Sequence, residues 1–238
     1  MNGSSGVGRS LTIQTGGKAN WIGALTTEIG SGGVNITSTG DITGTGAGIL
    51  TTAGGLTLNK VLTSTTVTIR TASTGGQVIS GTGTLARLDI SANTTNNGNI
   101  TVSSTLASTV PSVLTQGASA SLTYTGTTII PTLDASASGN TVTYNGAKTL
   151  GGAITVTANL TLNNGTLATS TFQIIGNATG TFTMAASTLL YIGLNSSATD
   201  VLFPTGFTTG HISFAANSTV VYYGNSAQTI SSTPNYGN

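Results

Sequence analysis

Short runs in which apolar and polar residues alternate recur along the whole chain: SLTIQ, VNIT, GLTLN, TVTIR, RLDIS, NITVS, SLTYT, TVTYN, AITVT, NLTLN, TFQII, TFTM, LLYIG, HISF and TVVYY. A period of two marks a strand with one face turned to a core, and Gly, Asn and Ser at the borders of such runs mark tight turns. The pattern therefore predicts many short strands and almost no helix. Only KANWIGALTTEI, residues 18–29, has a spacing that admits a brief helix, and Gly23 with the paired Thr26 and Thr27 works against it.

The runs are too short to form a core alone. About five aliphatic side chains per coil bury roughly 1.5–3 kcal/mol each, while ordering about 20 residues costs roughly 1–2 kcal/mol per residue of backbone. Stability has to come from stacking, so a repeating unit is expected. Apolar-x-Tyr-x-Gly occurs around Tyr124, Tyr144, Tyr191 and Tyr222, and GLTLNKVLTSTTVTI from Gly55 is similar to NLTLNNGTLATSTFQI from Asn159. These suggest a loose unit of roughly 20 residues, in the range of solenoid coils, and about twelve coils in all.

The fold expected is all-β: a parallel β-helix (β-solenoid) with short strands and irregular coils, with a β-sandwich as the alternative. Residues 1–238 read as a single solenoid domain with an irregular N-terminal segment 1–30 and a longer loop near 195–210. Gly and Asn would occupy the corners, where φ can be positive.

Composition sharpens the picture. The chain holds 50 Thr, 34 Gly, 26 Ser and 19 Asn, more than half of its 238 residues, and only 5% are charged. So polar a chain would be disordered without β-branched residues, but Val, Ile, Leu and Thr alternate throughout. The net charge is +1, with Arg9, Lys18, Lys60, Arg70, Arg87 and Lys148 spread along the chain. That gives no basic patch for nucleic acid or anionic lipid. There is no Cys, hence no disulfide, and no run of 18 apolar residues to span a membrane as a helix. The start, MNGSSGVGRS, has no apolar core of a secretion signal.

From Thr141 the sequence runs TVTYNG, KTLGG, ITV, NLTL and NNGTL, and from Ser218 STVVYYGNSAQTI. These stretches resemble the β-strand repeats of large secreted bacterial surface proteins of adhesin-like or filamentous type. The resemblance covers about half the chain and is compositional as much as motif-based. It implies an extended extracellular scaffold, a stalk, fibre or filament, with possible adhesion and no catalytic residues to carry over. The C-terminal stretch AQTISSTPNYGN shows no cap, so end-to-end stacking of copies into a homo-oligomer or filament is expected.

Candidate chemistry is sparse. The acids Glu28, Asp41, Asp89, Asp134 and Asp200 each stand alone, far apart along the chain. They read as solvated turn residues rather than the convergent carboxylates of a glycosidase or lyase. His211, the one histidine, sits in GHISF without a nucleophile elbow and reads as a strand-end residue. No catalytic residue, metal ligand or cofactor site is expected; GTGAG at 44–48 lacks the rest of a dinucleotide loop, and no calcium repeat occurs. Asn-x-Ser/Thr triplets, as at Asn35 and Asn164, follow from the Thr content. The late aromatic residues Phe203, Phe207, Phe214, Tyr222, Tyr223 and Tyr236 read as packing of the loop and last coil, with a sugar platform as the alternative. Thr-x-Thr, at 37, 43, 66, 141, 155, 169 and 181, is the one pattern suited to binding: on one flat face it would meet ice or another crystalline surface. An ice- or carbohydrate-binding β-helix is therefore the alternative to the scaffold.

Overall fold

The computed structural model describes residues 10–236, apart from 73–75, 109–111, 127–128, 131–132, 136–138 and 157. The chain divides into two compact units, Met1–Thr115 and Gln116–Asn238. Each is a parallel β-solenoid. Among the described residues every strand pair is parallel, which excludes the sandwich.

In the first unit a long face is formed by Thr26–Ile29, Ile49–Thr52, Thr68–Thr71, Thr82–Ile90 and Asn99–Ser108, in that order. A second face carries Leu11–Ile13, Val34–Ile36, Leu56–Leu58, Gln77–Ser80 and Thr94–Asn96, and Lys18–Trp21 pairs with Asp41–Gly44 on a third. The alternation explains the arrangement: Leu11, Val34, Leu56 and Ile79 stand in register from coil to coil, as do Leu50, Ile69, Leu88 and Leu106. Each side chain meets its equivalent above and below, so burial accumulates along columns. KANWIGALTTEI forms two strands rather than a helix. Trp21 and Ile29 turn inward as the last residue of each, and Gly23, at φ +83°, makes the corner between them.

In the second unit the long face comprises Ser121–Tyr124, Thr141–Asn145, Asn159–Asn164, Thr181–Met184 and Ile212–Phe214. Leu133–Ala135, Ile154–Val156 and Ile174–Ile175 make the second face. Ile129–Ile130, Lys148–Leu150, Thr166–Ala168, Leu189–Ile192 and Thr219–Tyr222 make the third. Leu122, Val142, Leu160, Phe182 and Ile212 form one inward column, and Tyr124, Tyr144, Leu162, Met184 and Phe214 the next.

The coils are irregular, as expected, while their number and the tyrosine motif need correction. The step from coil to coil is uneven: Thr82 is in register with Asn99, Leu11 with Val34, and Phe182 with Ile212, so the longest of these coils takes nearly twice the chain of the shortest. With five strands on each long face, the coils are longer and fewer than twelve. The tyrosine motif is not one repeat either. Tyr124 and Tyr144 are stacked partners on the long face, whereas Tyr191 and Tyr222 lie on the third face and pair with Val221 and Ile192. Between Ile192 and Ile212 there is a bridge at Thr205 and a single 3-10 turn, Thr209–His211.

Residues 224–236 form no strand and lie against the last coil. The Ser231 N–H donates to the Tyr222 hydroxyl at 3.0 Å, Thr209 Oγ1 donates to the Thr233 carbonyl at 2.7 Å, and the Tyr222 and Tyr236 hydroxyls meet at 2.8 Å. Gln228 bridges the Gly224 N–H and the Ile192 carbonyl. The segment lies as a polar cover over half-buried Phe214 and Tyr222.

Candidate functional site

Asp41 and Asp89 are buried in the coils, whereas Glu28 and Asp200 are exposed as expected of solvated acids. Glu28, Asp41, Asp89 and Asp134 all lie in strands, and only Asp200 is in a loop. Asp41 is buried at the start of the second strand of the two-stranded third face. The next coil forms no strand there, and Asp41 supplies the missing rung. Its carboxylate accepts the Thr63 N–H at 3.0 Å and the Thr63 hydroxyl. Asp89 and Arg70 are register partners on the long face, and Arg70 Nε donates to Asp89 Oδ2 at 2.7 Å. Both acids thus join neighbouring coils. No group of three His, Cys, Asp or Glu that could hold a metal occurs among the described residues. His211 is exposed and directly precedes Ile212–Phe214, the strand-end position expected of it.

Lys148 is a residue whose role the sequence did not reveal, although it is the one charge in a stretch of thirty residues. It turns inward, 3% exposed, and its ammonium lies 4.8 Å from the centre of the Tyr124 ring. Nζ donates to the carbonyls of Gly126 and Asn145 and, at 3.3 Å, of Ala147. Corner carbonyls that no strand can satisfy hold the cation, and burial lowers its pKa to about 8. Near it in sequence, Tyr144 is 1% exposed and its hydroxyl has no partner among the described residues. Burial, then the neighbouring Tyr124, pushes its ionisation far above the ordinary range.

Of the late aromatic residues, Phe203, Phe207 and Phe214 pack around Phe182, while Tyr223 and Tyr236 are exposed. Phe182 stands 5.8 Å from both Phe203 and Phe207 and 6.4 Å from Phe214, and the first three are at most 3% exposed. The loop 193–211 is thereby pinned over the interior. In the first unit, the first coil borders a cavity of about 310 Å³ lined by Leu11, Ile13, Lys18, Trp21 and Leu25.

The Thr-x-Thr pairs scatter, with one exception. Thr37 sits at a corner, its hydroxyl donating to the Ile13 carbonyl at 3.2 Å, and Thr169 is buried, accepting the Gly193 N–H at 3.0 Å. Thr157 lies outside the described residues. The pairs at Thr141 and Thr181, however, both turn outward on the long face of the second unit. The register inserts further members that the motif had missed: Thr123, Thr143, Thr161, Thr183 and Ser213 form one outward column, and Thr141, Asn159 and Thr181 a parallel one. Thr181 Oγ1 donates to Asn159 Oδ1 at 2.7 Å, tying one rung to the next. No charged side chain stands in either column. The long face of the first unit differs, presenting Glu28, Arg70, Arg87 and Asp89.

In comparisons with known proteins, no family model matches the chain, no curated protein matches it, and no solved structure matches it.

Proposed function

We propose that this chain is a structural segment of an extracellular repeat protein at a bacterial surface, part of a stalk or fibre with a mechanical and adhesive role. The observation that carries the reading is the parallel register within each unit, in which backbone rungs and interior columns repeat from coil to coil. Force along such a ladder is shared by many hydrogen bonds, each worth about 0.5–1.5 kcal/mol. The groups with chemical potential, Asp41, Asp89 and Lys148, are used to join coils. The low charge offers little repulsion between copies. Among the described residues no helix is long and apolar enough to cross a membrane, a statement that does not bear on β-barrels.

Self-assembly by end-to-end contact belongs to the same proposal, with one constraint. A partner coil can join at the C-terminal end of the second unit only if residues 224–236 leave the last coil. Electron microscopy of the purified chain over increasing concentration tests assembly: rods that lengthen support it, and dispersed monomers at every concentration reject it. Single-molecule pulling tests the scaffold itself. Stepwise rupture in increments of one or more coils is expected, and featureless extension at low force would refute a mechanical role.

A further inference from the structure

We propose that the outward long face of the second unit is a binding surface for ordered water, so that the chain attaches to ice. The face is a grid rather than a patch. Thr123, Thr143, Thr161, Thr183 and Ser213 follow one another coil by coil, with Thr141, Asn159 and Thr181 alongside two residues earlier in their strands. Neighbouring strands lie about 4.8 Å apart, and residues i and i+2 of a parallel strand lie about 6.6 Å apart.

Water fits such a grid. Hydrogen-bonded oxygens are about 2.75 Å apart, and tetrahedral geometry then puts next-nearest oxygens about 4.5 Å apart. A row of hydroxyls spaced about 4.8 Å departs from that repeat by about 0.3 Å per coil. Over the four steps of the five-member column the drift reaches only about 1.2 Å, under a third of one repeat, so the row keeps phase with the lattice. Across the grid there are only two columns, so no mismatch accumulates in that direction.

The residue type supplies the rest. Threonine is branched at Cβ and stiff about χ1, and each is flanked by equivalents in the coils above and below, so the hydroxyls and methyls are fixed before contact. A preorganised surface loses little entropy on binding. Neutrality matters as well: a charged group would hold its own hydration shell against the lattice, and none stands in either column. In the first unit the equivalent columns are interrupted by charge: Arg70 and Asp89 follow Thr51, and Arg87 stands between Thr68 and Thr105.

The test uses the full chain and ice itself. Growth and shape of single ice crystals are measured just below the melting point for the wild type, for Thr161→Tyr and Thr143→Tyr within the grid, and for Thr149→Tyr, which is exposed on the third face. Circular dichroism and the unfolding midpoint check that each variant is folded, and Thr161→Val, which keeps the shape and removes the hydroxyl, replaces any that is not. The wild type should shape crystals and arrest their growth; the grid variants should lose at least tenfold of that arrest, and Thr149→Tyr none. Ice growth unaffected by the wild type overturns the proposal, as does equal loss in Thr149→Tyr. Retention on crystalline cellulose or chitin with no effect on ice overturns it too, and assigns the grid to a polysaccharide surface.

Discussion

Lys148 makes the stability of the second unit depend on pH in a direction opposite to that of a surface lysine pair. Its pKa is about 8 in the folded chain against 10.5 in the unfolded one. Between those values the unfolded chain holds a proton that the folded chain has released, so stability rises with pH. Below pH 8 both states are protonated and the cost of burying the cation is present in full; above 10.5 it has gone. From pH 7 to pH 10 the gain amounts to roughly 2–3 kcal/mol, steepest near pH 9 at about 1 kcal/mol per unit. Tyr144 opposes it at the top of the range. Its ionisation is displaced far upward by burial, so the unfolded chain loses the phenolic proton first and stability falls above about pH 10. Urea unfolding at half-unit steps from pH 7 to 11 should therefore give a maximum near pH 10. Lys148→Met removes the rising limb and leaves the falling one, and Tyr144→Phe weakens the falling limb, to which Tyr236, also displaced upward by burial and by its bond to Tyr222, still contributes. A flat profile for the wild type between pH 8 and 10, or an unchanged rise in Lys148→Met, would refute the burial of a lysine held by corner carbonyls.

Phe182→Ala empties the centre of the aromatic cluster and should cost about 3–5 kcal/mol by denaturant unfolding; a loss below about 1 kcal/mol would mean that the loop 193–211 does not rest on this ring. Gly165 has φ +79°, and a Cβ there would fall 2.5–2.7 Å from the backbone of Gly146. Gly165→Ala should thus lose more than the roughly 1–2 kcal/mol of a left-handed conformation alone, whereas Gly210→Ala, with nothing within 4 Å, should be neutral within about 0.5 kcal/mol. Arg70→Gln leaves the carboxylate of Asp89, 13% exposed, without its charged partner; unfolding midpoints should show a cost of about 1–3 kcal/mol.

The sequence was most informative where inward residues are apolar. SLTIQ, GLTLN, SLTYT, TVTYN and TFTM all fall on strands, because alternation of aliphatic and polar residues is the strand pattern. It was silent at Thr94–Asn96 and Lys148–Leu150, where the inward residues include Thr94, Asn96 and Lys148. Stacking is the physical reason. A polar group turned into a coil can bond to the coil above or below, as Thr94 Oγ1 does with Thr71 Oγ1 at 2.8 Å, so burial no longer requires an apolar side chain. The Thr grid was half legible for a related reason. Thr141 and Thr181 announced themselves as Thr-x-Thr, but Thr123 follows SL, Thr161 follows NL, and only register shows that all four strands share a face. Register in turn depends on corner lengths, which vary too much to be read from periodicity.

That variation in corner length has a consequence for how such a chain can change over time. One coil closes already between Thr141 and Asn159, while another runs all the way from Phe182 to Ile212 before it returns to the same column. Closure entropy grows only as the logarithm of length, so the difference is worth about 0.5 kcal/mol. Within a ladder an extra residue turns the following side chains over unless a bulge absorbs it, as happens at Leu85/Arg87 and at Tyr144/Asn145. Corners admit many extra residues. Residues 195–200, the outer part of the segment 193–211, are accordingly the place to graft a foreign peptide or a reporter, and duplication of whole coils followed by drift at the corners is a route by which the chain gains length without retesting its core.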